Sequence, residues 1–167
     1  MAAGRTYTPI ATTTISGTTT NSITFSSISG SYTDLILIFS GGVISGGQGR
    51  IQFNSDTGTN YSRTVLKGDG TTASSGRNTN SDRIDFAQAG QFNDGISTNV
   101  IVNIMNYSNT TTYKTILSRF NSIGSIPEVN AEIGLWRNIS AITSIKFYTD
   151  VNFNSGSTFT LYGIAAA

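Results

Sequence analysis

Two closely spaced pairs of carboxylates are the residues of this sequence that could carry out hydrolysis: Asp82 with Asp85, and Glu128 with Glu132. Paired carboxylates hydrolyse glycosides when one acts as a general acid and the other as a base or nucleophile. Asp82 falls in a predicted loop and Asp85 in a predicted strand, whereas the two glutamates flank a predicted junction between a loop and a strand. We interpret both pairs as solvated surface charge.

The residue types that most other active sites need are missing. The 167 residues contain no histidine and no cysteine. This removes the usual general base, the commonest metal ligand and the thiolate nucleophile together. A nucleophilic triad is therefore excluded, and we predict a protein that is not an enzyme, with no catalytic residues and no bound cofactor.

Oxygen ligands for a calcium ion are the one metal-binding possibility in the sequence. Asp56, Asn60 and Asp94, together with backbone carbonyls, are of the type that hard cations take. Their spacing is not diagnostic, and Asp and Asn at such positions commonly bond to their own backbone in Asx-turns. We favour Asx-turns and predict no metal site.

Aromatic residues with a polar tip could form a platform on which a sugar stacks. Trp136 stands beside Arg137, and Tyr61, Tyr107 and Tyr113 are further candidates. The same residues are also typical of the half-buried positions of a β-sandwich. We keep Trp136, Arg137 and Tyr107 as possible glycan contacts in an alternative interpretation.

The charge content argues for protein partners. Charged residues make up only 11% of the chain, and the ten basic and nine acidic residues are scattered singly with a net charge of +1. Such a surface loses little on packing against a neighbour, because few ions must be desolvated. No basic stripe that could neutralise phosphates is present, so we predict no nucleic-acid partner. No apolar run approaches the roughly 20 residues that span a bilayer, so we predict no membrane partner and no secretion signal.

The elements that must position these residues are predicted to be about ten short strands separated by turn signals. No window of a dozen residues carries an apolar stripe of helical period, so the pattern indicates an all-β sandwich or barrel. The predicted strands cover residues 22–28, 35–39, 50–53, 61–66, 83–87, 98–105, 113–120, 131–136, 141–148 and 157–164. The last one must pair with earlier strands and close the fold.

Two segments are expected to lie outside the central strands and to contact partners. Residues 1–20 form a Thr-rich arm or edge strand, with Tyr7, Pro9 and Ile10 as possible contacts, and residues 21–167 form the single domain. Residues 68–81 are rich in Gly, Ser, Thr and Asn and are predicted to be a long exposed loop. The possible contacts there are Thr71, Arg77 and Asn80.

A set of motifs runs through nearly the whole chain in a familiar order. The most specific is Gly-Ser-Thr-Phe-Thr-Leu-Tyr-Gly-Ile at residues 156–164, and the others lie at 32–35, 53–62, 106–115, 142–145 and 152–153. Together they resemble small virion proteins of tailed bacteriophages, including cyanophages. The resemblance implies a β-sandwich of jelly-roll type with antiparallel strands, and a structural role on the particle without catalytic residues.

The resemblance leaves two positions on the particle open. The first is a head decoration, or cement, protein that binds the major capsid protein or other virion proteins on the head surface, as an oligomer that we expect to be a homotrimer. The second is a receptor- or carbohydrate-binding module of a tail fibre or baseplate. Either protein would be assembled into the virion in the host cytoplasm.

Overall fold

The computed structural model of the protein describes residues 6–86, 92, 98–123 and 127–165. The regular elements of these residues are β-strands, and none of the described residues belongs to a helix long and apolar enough to cross a membrane. In chain order the strands are β1 Tyr7–Thr14, β2 Ser22–Phe25, β3 Asp34–Gly41, β4 Gly49–Phe53, β5 Tyr61–Gly68, β6 Ala73–Ser81, β7 Ile84–Phe86, β8 Thr98–Ile104, β9 Lys114–Ile123, β10 Pro127–Trp136, β11 Ile145–Thr149 and β12 Thr158–Ile164.

The strands form two antiparallel sheets that enclose one hydrophobic core, as a β-sandwich of jelly-roll type. The eight-stranded sheet has the order β1-β12-β3-β8-β9-β10-β5-β6, and the four-stranded sheet has the order β2-β11-β4-β7. This confirms the predicted fold class. Because the second sheet has half as many strands as the first, it cannot cover the whole inner face of the larger one.

Strand β12 closes the sandwich, as its position at the end of the sequence predicted. It pairs with β1 on one side and with β3 on the other. Phe159 and Leu161 point into the core and are fully buried, while the alternate residues Thr158, Thr160 and Tyr162 are half-buried. The period-two alternation of the sequence is thus the alternation of a strand with one face on the core.

Aromatic side chains fill the centre of the core. The ring of Phe39 on β3 has its centroid 4.7 to 5.9 Å from the centroids of its neighbours. Most of these contacts are tilted or offset, which aromatic rings prefer to face-to-face stacking. The neighbouring rings, contributed by both sheets and the segments between them, belong to Phe92, Phe147, Phe153 and Phe159.

The predicted long loop at residues 68–81 is wrong, because most of it is strand β6. This strand pairs with β5 at residues 73–78 and again at Ser81, with a register shift between, and eight of its nine residues are exposed. A strand at the edge of a sheet with solvent on both faces needs no apolar residues, so the sequence carried no alternation to recognise. Only the turn around Asp69 remains of the loop.

Residues 121–130, between the predicted strands 113–120 and 131–136, were expected to form a loop, and this is also wrong for most of them, because β9 runs on to Ile123 and β10 begins at Pro127. The inward positions of β10 include Glu128, Asn130 and Glu132, and all three are buried. A strand that turns polar residues inward and apolar residues outward departs from the usual alternation. The residue types of this segment therefore led to the prediction of a polar loop.

Asn54 anchors the connection between β10 and β11 to the end of β4, and we expect its loss to destabilise the fold. Its side chain accepts hydrogen bonds from the backbone of Thr143 and Ser144 and donates one to the carbonyl of Ala141, and its φ is 51°. Asn54→Ala should lower the free energy of unfolding by about 2 kcal/mol, because three backbone groups lose their hydrogen-bond partner and alanine is strained at positive φ. Urea denaturation measures the change.

Asn54→Gly separates the two causes of that loss. Glycine adopts positive φ without strain but makes no side-chain hydrogen bonds. We expect Asn54→Gly to be more stable than Asn54→Ala and less stable than the wild type. If the glycine variant matched the wild type, the three hydrogen bonds would contribute nothing.

Candidate functional site

The N-terminal residues predicted to contact a partner lie on an edge strand. Residues 7–14 form β1, which pairs with β12 and forms one edge of the eight-stranded sheet, while residues 1–5 lie outside the described residues. Tyr7 and Pro9 are exposed, whereas Ile10 is half-buried and packs against the core. Two of the three candidates are therefore accessible.

The other predicted partner contacts lie at the opposite edge of the same sheet. Thr71 is in the turn before β6, and Arg77 and Asn80 are on β6 itself; all three are exposed. Because β1 and β6 are the first and last strands of the sheet, the fold does not bring the two groups of candidates together. No single contact site contains all six.

Asn80 and Arg137, which the sequence placed in different candidate sites, are joined in the structure. Arg137 Nη2 donates to Asn80 Oδ1 at 2.9 Å and to the carbonyl of Thr59 at 2.7 Å. Asn80 has a φ of 54°, so this contact falls where β6 bends at its end. The guanidinium thus ties the end of β6 to the turn before β5.

Trp136 and Tyr107 cannot form the predicted sugar platform in this structure, because both side chains are fully buried. The Trp136 ring lies 6.2 Å from Tyr61 and 5.6 Å from Phe53 between centroids. The Tyr107 hydroxyl donates to the carbonyl of Ser29. A ring with core side chains against it has no face left for a sugar, so this assignment was wrong. Both residues belong to the core and are buried more deeply than the half-buried sandwich positions also considered.

Both carboxylate oxygens of Asp56 accept hydrogen bonds, and the bond from the backbone two residues later forms an Asx-turn. Its carboxylate accepts from the Gly58 amide at 2.8 Å, from Asn60 Nδ2 at 2.9 Å and from Trp136 Nε1 at 2.8 Å. Burial pushes its pKa up, but the hydrogen bonds outweigh burial and leave the pKa below its usual value. The Asx-turn is confirmed. Asp94, the third calcium ligand considered, lies outside the described residues.

The interpretation of the paired carboxylates as solvated surface charge is wrong for three of the four. Asp85, Glu128 and Glu132 are 5%, 8% and 0% exposed, and only Asp82 is accessible. Burying carboxylates is costly unless they are paired. Here cationic side chains from neighbouring strands pair with them, a long-range arrangement that the local sequence could not reveal.

These ions form a charge cluster, consisting of Arg50, Arg63, Arg83, Asp85 and Glu132, where β7 meets β5 and β10. Asp85 Oδ1 accepts from Arg83 Nε at 2.8 Å and lies 3.4 Å from Arg50 Nε. Arg63 Nη1 donates to the Asp85 carbonyl at 2.9 Å and to Glu132 Oε1 at 3.1 Å. The cluster therefore links β4 and β7 of the four-stranded sheet to β5 and β10 of the eight-stranded one.

Glu132 is the most perturbed carboxyl of the charge cluster. Burial raises its pKa to about 7, although the Arg63 guanidinium favours the charged form. Its second oxygen, Oε2, accepts no hydrogen bond from the described part of the chain. A carboxylate with one oxygen unsatisfied in a buried site is poorly stabilised, so it holds its proton to unusually high pH.

The outer face of the eight-stranded sheet carries an apolar patch, consisting of Leu66, Leu117, Val129, Ala131 and Ile133. The side chains of its four larger residues are 48% to 70% exposed. The patch is continuous because the strand register sets Ile133 opposite Leu117, and Ala131 opposite Leu66. Sequence reasoning missed it, and the signal that could have found it is the alternation of apolar and polar residues through 128–133.

The charges beside the apolar patch are positive. Arg119 on β9 is opposite Ala131 of the patch. Arg77 on β6 is opposite Thr64 on β5, and Thr64 is opposite Ile133 of the patch. Both arginines are exposed. The carboxylates of strands β5, β6, β9 and β10 are Glu128 and Glu132, which lie on the other, buried face. The patch therefore suits an apolar partner surface flanked by carboxylates.

Comparison with known proteins leaves the family open. No protein-family model matches the chain, and no curated protein matches it. One solved structure that aligns with the chain is that of a mutant of the alginate lyase Aly36B in complex with an alginate tetrasaccharide. The alignment covers 81% of this chain and 72% of the lyase chain, with 11% sequence identity and a TM-score of 0.33. A likeness of this strength carries no argument about what this chain does.

Proposed function

We propose that this chain is a non-enzymatic structural protein of a tailed-bacteriophage virion, and specifically a decoration protein that binds the major capsid protein on the head surface as an oligomer. The resemblance of its motifs to small virion proteins supports the virion role. The proposal assigns no catalytic residue and no cofactor. Its contacts are with protein surfaces.

The observation that carries the proposal is the exposed apolar patch. A protein that works alone in solution rarely leaves several large aliphatic side chains together on a regular sheet face. Covering them removes apolar surface from water, and Arg77 and Arg119 at the margins can pair with carboxylates of the partner. A flat sheet face with few charges can pack against a capsid lattice at low desolvation cost.

Head binding should depend on the apolar patch. We expect the double variant Leu117→Ser with Ile133→Ser to bind purified undecorated heads at least about tenfold more weakly than the wild type, because the centre of the contact loses its apolar surface. Co-sedimentation with heads over a concentration series measures the affinity. The variant should keep the wild-type far-UV circular dichroism spectrum, because both side chains point to solvent.

Ile139→Ser is the matched control. Ile139 is 50% exposed, like the two patch residues, but it lies in the connection between β10 and β11. It should bind heads as tightly as the wild type. Equal binding by the patch variant and the wild type would show that another surface makes the contact.

The copy number in purified particles tests the position on the virion. Quantitative mass spectrometry against the major capsid protein should give a ratio near one, or a simple fraction of one. A few copies per particle would overturn the decoration role in favour of the tail position, and absence from particles would overturn the virion role.

A further inference from the structure

The two edges of the eight-stranded sheet differ in how well they are protected from pairing with another strand. β1 contains Pro9, which has no N–H to donate, and its register with β12 shifts between Pro9 and Ala11. Proline and bulges are the usual devices that prevent edge-to-edge association. β6 contains no proline and carries a single charge, Arg77, and its one register shift with β5 lies near its C-terminal end, between Asn78 and Ser81, so residues 73–78 form a regular edge.

We propose that β6 is a self-association edge, which pairs antiparallel with β6 of a second copy about a twofold axis through Gly76. Among the described residues the backbone of β6 pairs with β5 on one side only, which leaves the N–H and C=O groups of its other side without a strand partner there. Pairing satisfies these groups in both copies and joins the two large sheets into one.

The charge on β6 disfavours an axis at its middle residue, Arg77, and so favours the adjacent axis at Gly76, on the side away from the register shift. With the axis at Gly76, each Arg77 stands opposite Ser75 of the second copy, whereas an axis at Arg77 would set the two guanidiniums directly opposite each other. Like charges in directly opposed positions of a sheet are destabilising. A second copy fits because the remaining residues of β6 are small or polar and uncharged, so no position meets a clashing charge.

The apolar patch supports a second copy as the occupant of this edge. Leu66 lies opposite Ser75 of β6, so the patch begins one strand away from the proposed axis. The dimer sets the two patches on the same face of one continuous sheet. Edge pairing alone covers little surface, so we expect a dimer with micromolar affinity in solution, strengthened where a repeated lattice holds the copies close.

Two variants that place opposite charges at Ser75 test the register. Ser75 is exposed, so the monomer should tolerate both a glutamate and a lysine there. Ser75→Glu sets a carboxylate opposite Arg77 of the second copy, twice in each dimer, and should tighten dimerisation by roughly 2- to 30-fold. Ser75→Lys should weaken it by a similar factor. Sedimentation equilibrium on the full chain measures the dissociation constants. Equal or reversed effects overturn the proposal.

Cysteine scanning locates the axis, because the chain has no cysteine of its own. Residues that face each other across a twofold axis in an antiparallel pair have Cα atoms about 4.5–5.5 Å apart, within the range that a disulfide bridges. A Cβ at Gly76 would meet Val65 at an ordinary 3.4 Å, so Gly76→Cys is compatible with the fold. Among single variants at positions 74–78, Gly76→Cys should cross-link most efficiently under mild oxidation.

Thr12→Cys on β1 is the control and should stay monomeric. A cross-linking maximum at another β6 position, no cross-linking at any of them, or a stronger reaction at Thr12→Cys overturns the proposed pairing. The homotrimer expected from the sequence cannot form through a twofold β6 pairing. A trimer found by sedimentation equilibrium would therefore also overturn the proposed pairing. Binding of the Ser75→Lys variant to heads is measured separately from its dimerisation. The decoration role and the β6 pairing can therefore fail independently.

Discussion

Phe39→Ala is expected to lower the free energy of unfolding by about 3–5 kcal/mol. Phe39 is fully buried at the centre of the core, and four phenylalanine rings lie within 5.9 Å of its ring, centroid to centroid. Alanine removes the apolar surface of the ring and leaves a cavity that rigid aromatic neighbours cannot fill. Urea denaturation followed by far-UV circular dichroism measures the change.

Ile139→Ala gives the comparison for that measurement. Its side chain is half exposed and lies in a connection, so its loss should change stability by no more than about 0.5 kcal/mol. If Phe39→Ala cost as little as this control, the aromatic cluster would not be the part of the core that holds the two sheets together.

The stability of the protein is expected to fall as the pH rises from about 5 to 8, which is the reverse of the behaviour of most carboxylates. Burial raises the pKa of Glu132 from 4.5 to about 7 in the folded state. Between these values the folded state binds more protons than the unfolded state, so raising the pH favours unfolding. The contribution of Glu132 to the free energy of unfolding is fully present below about pH 4.5. About 3 kcal/mol of it is lost once the pH exceeds 7.

Glu132→Gln isolates this effect. The amide oxygen can still accept the hydrogen bond from Arg63, but the side chain no longer titrates. The absence of histidine means that no other side chain type has its ordinary pKa in this interval. The variant should show a flat stability between pH 5 and 8 and exceed the wild type at pH 8. Urea midpoints at both pH values test this, and an equal slope in the two proteins would assign the dependence to another group.

The inverted alternation of β10 accounts for both features that the sequence concealed. Its inward residues Glu128, Asn130 and Glu132 are polar and buried, and Glu132 joins the charge cluster. Its outward residues Val129 and Ile133 are exposed in the apolar patch. The same strand therefore links the two sheets on one face and presents the apolar patch on the other.

The parts of the fold that were predicted correctly are those in which one face of a strand meets the core. The alternation of β12 and the apolar run of β3 each identify a strand from a few neighbouring residues, because burial on one or both faces dictates the residue types. The predictions failed at β6 and at the start of β10. In both, the environment of each face is set by distant strands, so local residue types do not report it.

The candidate site was predicted less well than the fold, for a related reason. Thr71, Arg77 and Asn80 are exposed, because a polar, glycine-containing stretch stays in solvent whether it is a loop or an edge strand. Trp136 and Tyr107 were misplaced. An aromatic residue with a polar tip can lie at the surface or in the core, and only the positions of Asp56 and Ser29 decided that their polar tips are satisfied inside.

By itself the sequence determined that the chain is all-β, that no histidine or cysteine chemistry is available to it, and that its last strand closes the sandwich. These follow from composition and from the period of apolar residues, which local physical chemistry fixes. The tertiary structure alone decided which residues meet: the charge cluster, the apolar patch and the open edge at β6 all depend on pairing between strands far apart in the chain. Strand order is a property of the whole fold, because each sheet position is chosen by competition among all the strands that could fill it.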